Sequence, residues 1–79
     1  MKPVETELSA CIRRMVEMYF QHLEGERCSA LHDLVIHSVE KPLLEVVLAH
    51  CAQNQTRAAE LLGLNRTTLR KKMQRYQLL

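Results

Sequence analysis

The chain has no tryptophan, a single phenylalanine (Phe20) and two tyrosines (Tyr19 and Tyr76) among its 79 residues. A core built on large rings is excluded, so leucine, valine, isoleucine and methionine must supply it. Breakers are almost as scarce: Gly25, Gly63, Pro3 and Pro42 are all that the chain holds. That scarcity favours a few long helices. Two isolated glycines cannot form a phosphate-binding loop, and Ser9, Ser29 and Ser38 lack the surroundings of a nucleophile elbow. An enzyme is not expected.

The three cysteines, Cys11, Cys28 and Cys51, are odd in number and contain no C-x-x-C pair. A disulfide framework is not expected, and a reducing compartment fits better. Cys28 and His32 stand four apart with His22 nearby, but no second pair completes a zinc set. His37 and His50 read as surface or partly buried residues. Neither a metal nor a cofactor is expected. The N-terminus lacks the apolar run of a signal peptide, and Glu45 and His50 interrupt the longest apolar stretches. No membrane association is expected, and the chain reads as intracellular.

Net charge is only +2, but it is unevenly placed. From Asn54 onward, Arg57, Arg66, Arg70, Lys71, Lys72 and Arg75 face Glu60 alone, a balance of +5. Before Asn54, five basic residues face eight acids, a balance of −3. A basic end on an acidic body suggests a polyanion partner for that end.

Apolar periodicity predicts four helices. Leu8, Ile12, Met15, Val16, Tyr19 and Leu23 make a helical stripe between about Glu5 and Glu24, with Glu5 and Glu7 at the positive end of the helix dipole and Gly25 as its stop. A second helix is expected from a cap at Ser29 to about Ala52, carrying Leu31, Leu34, Val35, Val39, Leu43, Val46 and Val47. Pro42 falls inside it. Its ring nitrogen cannot donate to the Ser38 carbonyl, which predicts a kink, yet the apolar pattern resumes at once and predicts continuity. Asn54 should cap a short helix from Gln55 to Leu62, Gly63-Leu64 should turn the chain, and Asn65 should cap a last helix from Arg66 to about Tyr76.

The last two helices read as a helix-turn-helix. Ala59 is small where two helices cross, and Gly63 can take the left-handed turn conformation. Leu62, Leu64 and Leu69 fill the space between them. Leu69, Met73 and Tyr76 face the core, whereas Thr67, Arg70, Lys71 and Gln74 lie roughly opposite. Arg66 and Thr67 occupy the tip that reaches base edges in such motifs. Asn54, Thr56 and the helix-start N–H groups suit phosphates. Lys72 and Arg75 are expected on the flanking backbone.

The stretches Asn54-Gln55-Thr56-Arg57-Ala58-Ala59 and Asn65-Arg66-Thr67-Thr68-Leu69-Arg70-Lys71-Lys72 resemble the C-terminal signature of the Fis family. Val39-Glu40-Lys41-Pro42-Leu43-Leu44 resembles that family's long kinked helix, and the likeness extends over about Leu8 to Leu79. The last quarter alone is also similar to the DNA-binding end of NtrC-type activators. The Fis resemblance implies a bacterial, nucleoid-associated homodimer in the cytoplasm that bends double-stranded DNA and acts in transcription regulation or recombination. It implies an all-α fold with an intertwined four-helix-bundle dimer core. Residues 1–53 would dimerise and residues 54–79 would bind DNA. The DNA-contact set expected from motif and resemblance is Asn54, Gln55, Thr56, Asn65, Arg66, Thr67, Thr68, Arg70, Lys71, Lys72 and Arg75. Leu8, Ile12, Met15, Val16, Tyr19, Leu31, Leu34 and Val35 are expected at the dimer interface, because a chain this short buries too little surface alone.

Three departures from the family pattern stand out. Best-known members carry an N-terminal hairpin arm that stimulates DNA invertases; about seven residues precede Leu8, so no such arm or activity is expected. The turn before Asn54 reads Cys51-Ala52-Gln53 where the family has a basic–glycine pair that touches RNA polymerase, which leaves that contact doubtful. Thr67 stands where the family has glycine. The alternative reading is a helical protein-interaction adaptor whose basic helix is merely solvated. RNA binding is a lesser one, since no aromatic stacking platform is present.

Overall fold

The computed structural model describes residues 5–23 and 29–79. These residues form four α-helices: α1 (Glu7–His22), α2 (Leu31–His50), α3 (Gln55–Leu62) and α4 (Arg66–Arg75). The fold is all-α, as the periodicity predicts. The chain divides into two compact units, residues 1–35 and 36–79.

In the first unit, α1 starts at Glu7, later than the expected Glu5, because Thr6 is its cap. The Thr6 hydroxyl oxygen accepts the Ser9 N–H at 3.1 Å and satisfies a donor that has no partner within the helix. Glu5 therefore precedes the helix, and its carboxylate pairs with Arg13 at 2.7 Å. That carboxylate raises the Arg13 pKa above its usual value, chiefly through the hydrogen bond. At the other end, His22 Nδ1 lies 2.7 Å from the Met18 carbonyl, within the last turn of the helix. The expected stop at Gly25 lies outside the described residues, as do Glu24 and Cys28. No residue of α1 is buried. Leu8 and Met15 are exposed, while Ile12, Val16, Tyr19 and Leu23 are half-buried. Helix α2 begins at Leu31, two residues past the expected Ser29 cap, and its first turn closes with the Leu34 N–H on the Ala30 carbonyl at 3.0 Å.

Helix α2 runs through Pro42 without interruption. In the second unit its C-terminal half contributes Leu44, Leu48 and Cys51 to a core completed by Ala58 and Ala59 of α3 and by Leu69, Met73 and Tyr76. Val47, Leu62 and Leu78 pack around that core. No polar or charged residue among those described is buried. The two alanines are what lets α3 lie against its neighbours: longer side chains there would overpack and cost about 1–3 kcal/mol.

All three helices of this unit end in the same way. Gln53 N–H bonds the Leu48 carbonyl, Leu64 N–H the Ala59 carbonyl and Leu78 N–H the Met73 carbonyl, each across five residues. This is the Schellman closure, which requires a left-handed residue just past the helix. Gly63 meets that need at φ 72°. The other two closures use Ala52 at φ 51°, followed by Gln53 at φ 66°, and Gln77 at φ 59°. Each of these non-glycine residues carries a steric cost of roughly 1–2 kcal/mol.

Candidate nucleic-acid interface

Two asparagines set the frame. Asn54 Oδ1 accepts the Arg57 N–H at 3.2 Å and starts α3; Asn65 Oδ1 accepts the Thr68 N–H at 2.7 Å and starts α4. Each cap uses only the amide oxygen and leaves the NH₂ donors for another acceptor. Between them, the left-handed Gly63 reverses the chain. A Cβ there would meet nothing within 4 Å, so the glycine is required by its φ and not by space.

Helix α4 separates its faces sharply. Leu69, Met73 and the following Tyr76 are buried, while Asn65, Arg66, Thr67, Arg70, Lys71 and Arg75 are exposed and Thr68 is half-buried. Neither Arg66 nor Lys71 forms an ion pair with any described residue. Asn54 and Thr56, at the start of α3, are exposed as well. Gln55 is half-buried, and its Oε1 accepts from Arg70 Nη1 at 2.9 Å, which ties the guanidinium of α4 to α3. The guanidinium is thereby held before any ligand arrives.

Lys72 departs from its neighbours. Expected on the flanking DNA backbone, it instead lies half-buried against Glu40 of α2, with Nζ 2.8 Å from Oε2. Tyr76 donates its O–H to the other oxygen of the same carboxylate at 2.6 Å. These bonds, Lys72 first and Tyr76 second, hold the Glu40 pKa below the usual carboxylate range. Burial, and then the Glu40 carboxylate, raise the Tyr76 phenol above its ordinary value. Periodicity could have flagged Lys72: it stands three residues after Leu69 and four before Tyr76, on the flank of the buried face. Glu40 carried no comparable signal. Among the described residues no three His, Cys, Asp or Glu side chains come together as a metal site, and no helix is long and apolar enough to cross a membrane.

A short capped helix, a left-handed glycine turn and a second capped helix with a basic outer face define a helix-turn-helix regulator. Residues 36–76 match the family described as bacterial regulatory protein, Fis family. The chain is 48% identical over 73 residues to a Fis-like DNA-binding protein of Neisseria meningitidis serogroup A, covering 92% of each. It is 46% identical over 76 residues to the DNA-binding protein Fis of Buchnera aphidicola, covering 95% of this chain and 77% of that one. A Fis-like DNA-binding protein of Pseudomonas aeruginosa is 50% identical over 68 residues, 86% of this chain and 65% of the relative. The chain belongs to the Fis family, whose helix-turn-helix members are DNA-binding regulators and not enzymes.

Proposed function

We propose that this chain is a homodimer that binds and bends double-stranded DNA on the bacterial chromosome, acting in transcription regulation and nucleoid organisation in the cytoplasm. The observation that carries the DNA reading is α4 itself: its inner face buries Leu69, Met73 and Tyr76, and its outer face presents Arg66, Arg70 and Lys71. Arg66 and Thr67 at its N-terminal tip would enter the major groove, where an arginine can bond guanine O6 and N7 together. Asn65, Thr68, Arg70, Lys71 and Arg75 would contact bases and flanking phosphates. Asn54 and Thr56 would hold phosphates, and Gln55 would keep Arg70 in register. The relatives' names, Fis and Fis-like DNA-binding protein, support the same reading.

Dimerisation would use the helices before residue 54. Leu8, Ile12, Met15, Val16, Tyr19, Leu31, Leu34 and Val35 are all exposed or half-buried in the single chain. A second copy would cover this apolar surface, and two copies can build the four-helix core that one cannot. In the Fis-like arrangement the two recognition helices would sit closer than the 34 Å or so between successive major grooves of straight DNA. The duplex would then curve, at a cost of order 1–6 kcal/mol. Circular-permutation gel shifts on a bound site test this: position-dependent mobility is expected, and an unbent complex would contradict the bending. RNA polymerase contact is the weakest part of the family pattern here, because Ala52 and Gln53 offer no charge at the turn.

A further inference from the structure

Glu40 lies outside the helix-turn-helix, yet it grips α4 at two points one helical turn apart. Each carboxylate oxygen takes one donor: Oε2 takes the Lys72 ammonium at 2.8 Å and Oε1 the Tyr76 hydroxyl at 2.6 Å. One turn earlier on α2, the His37 ring meets the Tyr76 ring edge-on, with centroids 5.6 Å apart. The Glu40 and Lys72 side chains are only 18% and 25% exposed, against 42% and 69% for the Glu5–Arg13 pair. Sheltered, charge-assisted bonds of this kind are about twice as strong as neutral ones. A lysine leaving for a DNA phosphate would also take the ion-pair partner from the half-buried Glu40 carboxylate, leaving it the Tyr76 hydroxyl.

We propose that Glu40 is a positioning residue for DNA readout: it withholds Lys72 from the phosphates and clamps the C-terminal part of α4, so that the tip of the helix decides which DNA is bound. The inference rests on the DNA-binding reading above. Arg66, Arg70, Lys71 and Arg75 then serve the polyanion, and Lys72 serves the fold. Charge that binds any duplex equally raises affinity without raising discrimination, so withholding one cation favours specific over random sites.

The test measures affinity of the full chain for a strong site and for random duplex across a salt series. Wild type, Glu40→Gln, Lys72→Ala and the double variant are compared. Glutamine keeps an acceptor for Tyr76 and the side-chain size but loses the charge that holds Lys72. Glu40→Gln is expected to steepen the slope of log K against log salt by about 0.9 for each Lys72 released, and to lower the ratio of strong-site to random-site affinity several-fold. Lys72→Ala alone should leave the slope at the wild-type value, and the double variant should return to it. A purely structural role for Glu40 would lower melting temperature without steepening the slope. Flattening by about 0.9 per subunit in Lys72→Ala would overturn the inference, because Lys72 would then be a phosphate contact in the native protein. An unchanged slope and ratio in a folded Glu40→Gln would overturn it too. If Glu40→Gln is too unstable to assay, the Lys72→Ala slope decides alone. A wild-type protein without salt-dependent DNA binding would overturn the functional reading as well, which separates the two failures.

Discussion

The two units put the same residue types to opposite uses. Residues 36–79 bury Leu44 and Leu69 to 1% and 0% exposure, whereas α1 leaves Leu8 and Met15 at 60% and 55%. Both segments carry apolar residues at helical spacing. What separates them is the company each stripe has within one chain. In the second unit three helices end in tight left-handed closures that turn the chain back onto a shared core. The first unit has one long helix and the opening turn of another, and none of its described residues is fully buried. Under the homodimer proposed above, a second copy would cover that stripe.

The comparison breaks most completely if the first stripe is charged. Met15→Glu should prevent pairing, and with it the folding of α1, because association and folding are linked when neither half is stable alone. Sedimentation and circular dichroism at micromolar concentration would show dissociation and loss of helix together; a folded monomer would mean that the stripe needs no partner. Next in size is the second unit's core. Leu69→Ala should cost about 2–5 kcal/mol in urea unfolding, because the cavity lies between α3 and α4 where nothing can collapse into it. Leu8→Ala, at a site exposed in the single chain, should change the unfolding of this core far less.

A smaller effect separates reading DNA from holding it. Arg66→Ala should lose about 1–3 kcal/mol on a strong site and much less on random duplex, because the loss is one of base contact. Lys71→Ala and Arg75→Ala should weaken both DNAs evenly. Competition binding on the two duplexes measures this, and equal losses for Arg66→Ala would remove its base-reading role. The smallest change concerns the turn. Gly63→Ala should cost roughly 1–2 kcal/mol through φ alone, since the space around it is open. Gln53→Gly, relieving the same conformation, should leave stability unchanged or raise it slightly in the same thermal melts.

Most of this architecture was legible in the residues. Local signals set the helices: the apolar period, the Asn54 and Asn65 caps, and Gly63 in its turn all act within four or five positions. The inner face of α4 followed from Leu69, Met73 and Tyr76 for the same reason. Two local readings were displaced by competitors close at hand. Thr6 captures the Ser9 N–H and so starts α1 later than the acids suggested, and α2 opens past Ser29. The missed features are of two other kinds. Left-handed geometry at Ala52, Gln53 and Gln77 is imposed by the need to close each helix, and these residue types do not announce it. The bonds of Lys72 and Tyr76 to Glu40 join residues 32 and 36 positions apart, a pairing that only packing creates. On the sequence Lys72 looks like its neighbour Lys71; in the fold one faces solvent and the other faces a carboxylate.

The central claim, that the outer face of α4 exists to meet a polyanion, is tested most directly by titrating duplex DNA with the purified chain across a salt series. Each phosphate neutralised contributes about −0.9 to the slope of log K against log salt. Arg66, Arg70, Lys71 and Arg75, doubled in a dimer, predict a steep negative slope of several units. A slope near zero, or no binding at low salt, would contradict the account and leave α4 a solvated face on an adaptor.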